Sequence, residues 1–295
     1  MNKILKAFKD PCWAFGVILR HCLSRFIKDD RTFIRLEYFS GMGKFPDLDN
    51  PRRYNEKIQW LKLNDIHPEY AAIVDKSTAK DYVASKIGES YIVPTLGVWD
   101  RFDDIDFDAL PRSFVLKTTH DSGGVAVCAD KASFDVKGAR KKLEKSLRHN
   151  FYFEHREYPY KGIKPRIIAE AFIGDGSGLD DYKFFIFNGK CRMLFVATGR
   201  LQGDTRFNFF DENFNQLPLT QGHPLSDEPL EKPENFDEMV RLAEELGKDF
   251  RHVRVDLYNV DGKIYFGELT FFHYSGNVPF VPDEWDFKVG GWLEL

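Results

Sequence analysis

The stretch from His252 to Phe271 constrains this chain more than any other part of it. Two runs that alternate apolar and polar residues, 252–258 and 264–271, flank the turn signal Asn259-Val260-Asp261-Gly262. That pattern predicts an antiparallel hairpin whose register can be argued. A two-residue loop, Asp261-Gly262, would place Val260 opposite Lys263 and Val255 opposite Glu268. A three-residue loop, Val260-Asp261-Gly262, with Gly262 left-handed in a bulge, places Asn259 opposite Lys263, Arg254 opposite Glu268 and Asp256 opposite Phe266. The second register gathers Val253, Val255, Leu257, Leu269 and Phe271 on one face and Arg254, Asp256, Glu268 and Thr270 on the other, so the apolar pattern selects it. Two carboxylates and an arginine on a strand face suit a divalent cation bound together with phosphate. The plainer alternative, a solvated face with Arg254 paired to Glu268 across the strands, fits the hairpin alone equally well.

A second candidate lies at Lys117, which ends an apolar strand expected over 114–118. The loop Thr119-His120-Asp121-Ser122-Gly123-Gly124 follows, and then a strand over 125–128. Adjacent glycines let backbone amides approach phosphate oxygens, and the lysine supplies a point charge. The spacing is not that of a P-loop, and a strand follows where a helix would be needed, so a simple hairpin turn is the alternative. Lys183, inside an apolar strand over 182–187, requires a partner unless it snorkels from a sheet edge.

The remaining pattern alternates helices and strands. Helices are expected over 55–63 with Asn55 as N-cap, over 75–87 closed by Gly88, from Asp135 to about residue 147, and over 236–246 closed by Gly247. A strand covers 166–173, and a hairpin of 182–187 with 190–196 turns at Asn188-Gly189. Pro94 breaks the chain, 102–111 is an acidic connector and 211–234 a long loop. This succession predicts the α+β class with mostly antiparallel strands. With 295 residues, 43% hydrophobic, the chain has ample material for a core. A net charge of −4 excludes a general nucleic-acid binder. Cys12, Cys22, Cys128 and Cys191 show no Cys-x-x-Cys spacing and are expected as free thiols in a reducing cytoplasm, with no zinc site. The apolar run over 12–19 is too short for a membrane span, and no signal-peptide cleavage site follows.

Residues 1–28 are unlike the rest. Lys3, Lys6, Lys9, Arg20, Arg25 and Lys28 face only Asp10, a net of +5, and Ile4, Leu5, Phe8, Trp13, Phe15, Ile18 and Leu19 are interleaved. Basic amphipathic helices broken at Pro11 are expected. They would either touch an anionic membrane surface or, more plainly, pack on the body. Most of the 28 Phe fall in core stripes, leaving Tyr274, Trp285 and Trp292 as exposed aromatic candidates for carbohydrate.

The order of pieces resembles the ATP-grasp superfamily. Asp75-Lys76 comes first, then Lys117 with its small-residue loop, a helix, the strand Ile167-Ile168-Ala169-Glu170-Ala171-Phe172-Ile173, Asp181-Tyr182-Lys183-Phe184-Phe185, Arg254-Val255-Asp256-Leu257-Tyr258 and Phe266-Gly267-Glu268-Leu269-Thr270-Phe271. Together with Tyr54-Asn55-Glu56-Lys57-Ile58-Gln59-Trp60, the wording is similar to the teichuronopeptide-biosynthesis (TupA-like) branch over about residues 45–295. The resemblance implies two α+β subdomains with mainly antiparallel sheets clasping ATP. Residues 1–65 would be a short helical, membrane-proximal N-terminal region and 66–111 the first part of the grasp. Residues 112–168 would form the lid subdomain and 169–295 the C-terminal subdomain with the metal site.

It further implies that Lys76 and Lys117 contact phosphates under a cover containing Ser122, Gly123 and Gly124. Glu170, with the backbone near Phe172, would meet adenine, and Asp181 and Lys183 would line the phosphate channel. Asp256, Glu268 and Thr270 would hold Mg2+, and Arg254, with Lys183, would stabilise the transferring phosphoryl group. Thr270 stands where many members have Asn, which leaves one or two metals open. His120 and His273 are candidates for substrate placement or for structural roles. The implied activity is that of a cytoplasmic ATP-dependent carboxylate–amine ligase working through an acylphosphate in bacterial surface or capsular polysaccharide biosynthesis. It would amidate a sugar carboxylate or join an amino acid to a sugar. Its partners would be ATP, a carboxylate-bearing sugar or amino-acid substrate and glycosyltransferases of the same pathway, with peripheral contact at the inner face of the membrane left open. A sugar kinase on the same fold and a nucleotide-binding accessory of glycosyltransferases are the alternatives.

Overall fold

The computed structural model describes residues 10–174, 176 and 178–295, so Lys3, Lys6 and Lys9 lie outside the described residues. The chain is organised around two antiparallel sheets. In the first, β1 (Thr95–Trp99), β2 (Phe114–Thr118), β3 (Val125–Cys128) and β4 (Ile167–Ala171) lie in the order β1-β4-β2-β3. Phe114, Leu116, Ile167 and Ala169 form its core with Leu143. In the second, β5 (Asp181–Phe187), β6 (Lys190–Thr198), β7 (Arg206–Asp211), β8 (His252–Val260) and β9 (Lys263–Thr270) lie in the order β7-β6-β5-β8-β9. Every strand pairing is antiparallel, as the α+β pattern predicts.

Helices cover the sheets. In chain order they are α1 (Pro11–Ile18), α2 (Asp30–Met42), α3 (Tyr54–Asn64), α4 (Tyr70–Val74), α5 (Ala79–Ile87), α6 (Val136–Ser146), α7 (Phe151–His155), α8 (Phe236–Gly247) and α9 (Glu284–Trp292). All seven residues of β5 are buried because both faces of this central strand are covered. On one side α8 sets Phe236 against Phe184 and Gly247 against Ile186. On the other, α3 sets the Tyr54 ring against Phe185 and Phe187. Each such aromatic burial contributes roughly 1.5–3 kcal/mol. No helix among the described residues is long and apolar enough to cross a membrane.

Several local expectations change. Arg53, not Asn55, occupies the N-cap of α3, where the Glu56 carboxylate accepts from the Arg53 N–H; Asn55 is buried one position inside the helix and donates to Asp286. The helix expected over 75–87 begins only at Ala79, as α5; residues 75–78 form the turn that follows α4, in which the Asp75 carboxylate accepts from the Ser77 N–H. Strands β1 and β7 fall where no element was expected, β1 just after Pro94 and β7 just before the loop expected over 211–234. Trp285 is buried rather than exposed.

The decisive correction concerns the last hairpin. The turn has two residues, Asp261 (φ 51) and Gly262 (φ 79), and Val260 does pair with Lys263. A bulge between Asp256 and Leu257 then absorbs Gly267, so that Leu257 opposes Phe266 while Asp256 opposes Glu268 and Arg254 opposes Thr270. The polar face holds the four residues expected, but through a bulge that a strict alternation cannot anticipate.

Candidate functional site

The registers of β9, β8, β5 and β6 place Glu268, Asp256, Lys183 and Phe195 side by side in one row across the second sheet. The neighbouring row is Thr270, Arg254, Phe185 and Met193. Lys183 is therefore in the central strand, not at an edge. It is 4% exposed, with Nζ 2.7 Å from Asp181 and in contact with Asp256. Arg254 holds Asp256 with two bonds, Nε to Oδ1 at 2.7 Å and Nη2 to Oδ2 at 2.8 Å. The same Nη2 donates to Glu268 Oε1 at 2.9 Å and to Thr270 Oγ1 at 3.1 Å. His273 accepts from Arg254 at Nδ1 (2.7 Å) and donates from Nε2 to Gln221 at 3.1 Å, the geometry of a neutral ring. Burial and the Arg254 charge hold its pKa well below the ordinary value.

Electrostatics in this group are unbalanced. Burial pushes the Asp256 carboxyl up to about 6 against the pull of Arg254 and Lys183. Burial opposes ionisation of Glu268 too, yet Lys76, Lys183 and Arg254 outweigh it and hold that carboxyl well below its usual range. Three oxygens of Asp256, Glu268 and Thr270 thus converge on a single cationic nitrogen. Hard oxygen donors so arranged could hold a magnesium ion that also takes phosphate oxygens and water. Among the described residues no group of three or more His, Cys, Asp and Glu is placed to hold a metal ion, so here the carboxylates would be two, joined by a hydroxyl.

Lys183, Arg254, Glu268, Thr270 and His273 line a cleft of about 470 Å³ together with Lys76, Ser122, Phe195, Arg200, Phe207, His223 and Tyr274, whereas Asp256 and Asp181, each 1% exposed, lie behind that lining. Lys76 reaches it from the turn between α4 and α5. Its N–H donates to Thr119, its Nζ to the Asp121 carbonyl at 2.6 Å, and Nζ stands 3.9 Å from Glu268. The β2–β3 loop is anchored by Asp121, whose carboxylate accepts from Thr118 and Ser146. Gly123 has φ 115, and a side chain at Gly124 would collide with Thr118 and Ser146. Tyr274 and Ser275, both at positive φ (50 and 54), carry their side chains into the cleft wall. A larger open depression of about 900 Å³ beside Asp65, Tyr82 and Phe250 contains none of the residues singled out from the sequence.

The structure does not bring every candidate into this cleft. Lys117 and Glu170 sit on the first sheet, where the Glu170 carboxylate is shared by Lys117 (2.7 Å) and Lys80 (2.6 Å). Burial disfavours that carboxylate, but the two lysines keep its pKa lowered. Phe172 follows β4 and is half-buried. His120 is buried, with Nε2 donating to the His149 carbonyl at 3.1 Å. Sequence reasoning missed Lys80, in the first turn of α5, and Arg200, which holds Asp181 at 2.6 Å. It also missed a buried polar cluster behind the cleft. There Glu37 accepts from His155 Nδ1 (2.6 Å), Lys62 donates to the Ser275 carbonyl (2.8 Å), and the Ser275 hydroxyl bonds Glu157. No local pattern announces these, because the partners come from distant segments.

A TupA-like ATPgrasp family profile matches residues 56–294. Among solved structures, the D-alanine–D-alanine ligase of Bacillus anthracis complexed with ATP is 16% identical, covering 68% of this chain and 54% of that one, with a TM-score of 0.39. The ATP-grasp ligase PsnB, complexed with a minimal precursor, Mg and ADP, is 12% identical (85% and 66% covered, TM-score 0.40). The D-alanine–D-alanine ligase of Helicobacter pylori is 16% identical (82% and 69%, TM-score 0.41). The chain thus spans little more than half the length of the Bacillus anthracis ligase. No curated protein matches it.

Proposed function

The chain belongs to the TupA-like ATP-grasp family, and from that membership and the chemistry of the cleft we propose that it is an ATP-dependent carboxylate–amine ligase. The observation that carries this reading is the convergence of Asp256, Glu268 and Thr270 on Nη2 of Arg254, which lines the cleft with Glu268, Lys76, Lys183 and Ser122. In this reading Lys76, Lys183 and Arg254 neutralise the phosphates, and the loop of Ser122, Gly123 and Gly124 covers them. Asp181 orients Lys183 through their 2.7 Å contact. Lys117, Glu170 and Phe172 take the base and its proximal phosphates at the seam between the sheets, with 112–168 as lid and 169–295 as the platform beneath it. Asp256, Glu268 and Thr270 would hold magnesium, which when bound spreads the charge of the phosphoryl group in flight.

The balanced reaction passes the terminal phosphoryl group of ATP to a substrate carboxylate. A neutral amine then attacks the acylphosphate carbon, the C–N bond forms, the C–O bond to phosphate breaks, and the amine proton leaves to solvent. The products are amide, ADP and phosphate. The protein contributes fixed cations that need no reorganisation and a cleft that sheds water. His223 and Tyr274, half-buried in the cleft wall and backed by the buried Phe207, offer rings suited to the apolar face of a sugar. This supports the further reading that the acceptor is a carboxylated or amino-acid-bearing sugar of surface-polysaccharide synthesis, made beside the glycosyltransferases that use it.

The test combines purified protein, magnesium-ATP, uronic acids and amino acids, with phosphate release and product mass measured. Amide with phosphate supports the ligase; phospho-sugar with ADP transfers the reading to a kinase; no turnover across the panel overturns both in favour of a nucleotide-binding accessory. Asp256→Asn should abolish magnesium-dependent nucleotide binding, and unaltered magnesium dependence sinks the metal assignment.

A further inference from the structure

We propose that the N-terminal arm, residues 10–28, docks the protein on an anionic lipid bilayer surface. Isolated exposed apolar side chains are ordinary on any protein, but here they recur. Ile18 is 51% exposed, Cys22 is exposed, and Phe26, at 78%, is the most exposed of the large apolar side chains among the described residues. Each lies four positions after the one before, while Gly16, Leu19 and Ser24 turn inward. Cations stand between and beside them: Arg25 and Lys28 are exposed, and Lys3, Lys6 and Lys9 precede them in sequence.

The charge contrast selects the occupant. The first 28 residues carry +5, of which +2 falls within 10–28, in a chain whose total is −4, so an anionic surface attracts this end while repelling the acidic remainder. Apolar side chains that insert, flanked by cations that meet headgroups, are what an interfacial segment needs.

The arm is also fastened to the cleft. Arg156 (φ 57, 3% exposed) donates to the carbonyls of Ser24 at 2.5 Å and Ile27 at 2.8 Å and pairs with Asp30 at 2.8 Å. It directly follows α7, which supplies Phe151 and His155 to the cleft wall. Docking would therefore hold the cleft mouth at a fixed distance from the bilayer, whatever reaction occurs inside.

Co-sedimentation of the full chain with vesicles tests this without any knowledge of substrate. Phosphatidylcholine vesicles containing one third phosphatidylglycerol should retain the protein at low salt, and added salt should release it. The double variant Ile18→Ser with Phe26→Ser should weaken partitioning about tenfold or more, and Lys9→Glu with Lys28→Glu about fivefold per cation. Circular dichroism confirms that each variant is folded. Equal retention on vesicles of phosphatidylcholine alone, or undiminished retention of the folded variants, overturns the proposal. So does a Phe26-dependent dimer in gel filtration without vesicles, which assigns the patch to a second copy.

Discussion

Replacing Lys183 with methionine isolates the electrostatics of the row across β9, β8, β5 and β6. Methionine fills a similar volume in the central strand without the charge. Asp181 retains Arg200 at 2.6 Å, whereas Asp256 retains only Arg254. Burial has already pushed Asp256 from its ordinary 3.8 up to about 6 despite Arg254 and Lys183, so losing Lys183 pushes it higher. A carboxyl whose pKa is raised by folding binds a proton that the unfolded chain releases. Stability therefore falls as the pH rises from 3.8 through the folded value, and the variant extends that fall to higher pH. Removing one partner of a buried pair costs about 3–5 kcal/mol when the other stays charged, and protonation of Asp256 relieves that cost in acid. The variant should lie within about 1 kcal/mol of wild type near pH 5 and about 3 kcal/mol below it near pH 8. The midpoints would then separate by on the order of 5–10 °C. Paired thermal melts across a buffer series read this directly. A separation that is constant with pH, or that is widest in acid, would refute the assignment of Lys183 as the counter-charge of Asp256.

Two other perturbations probe the surroundings. Gly124→Ala forces its methyl group against Thr118 and Ser146 and so displaces Asp121; about 1–3 kcal/mol of stability should be lost, and nucleotide affinity should fall with it, whereas an unchanged melt together with an unchanged affinity contradicts the loop's anchoring. Glu37→Gln removes the group that raises His155 above its ordinary pKa against the effect of burial. Stability from a raised histidine is present below 6.5 and lost as pH climbs through the folded value, so the variant should lose about 3 kcal/mol near pH 6 and progressively less in alkali. Melts showing the largest loss in alkali would exclude the Glu37–His155 pair as its source.

The class of fold, both NG- and DG-type hairpins and the Asp135-capped helix were legible because each is written locally, in a turn dipeptide, a cap or an alternation. The register of the last hairpin was not, since the phase of its apolar residues slips between Phe266 and Leu269, and that slip, once noticed, is the trace of Gly267. β1 is five residues with one buried neighbour strand, too short and too exposed to alternate clearly. β7 went unrecognised although Phe207, Phe209 and Phe210 are buried, because Arg206, Asn208 and Asp211 interrupt its apolar run. At the site, Arg254, Asp256, Glu268 and Lys183 were legible through strand periodicity. Arg200, Lys80 and the Glu37–His155–Lys62–Glu157 cluster were not, because their meaning arises only when remote segments meet.

The row from Glu268 through Asp256 and Lys183 to Phe195 is also a ruler with unlike ends. Ionic side chains occupy the β9, β8 and β5 positions, and an aromatic ring occupies β6, with Phe207 of β7 on the same wall. A guest with one charged and one weakly polar terminus, laid along the row, would lose least with its charge over the ionic end, since the reverse placement sets that charge beside phenylalanine. The sheet by itself would then set the polarity of such a guest, end for end.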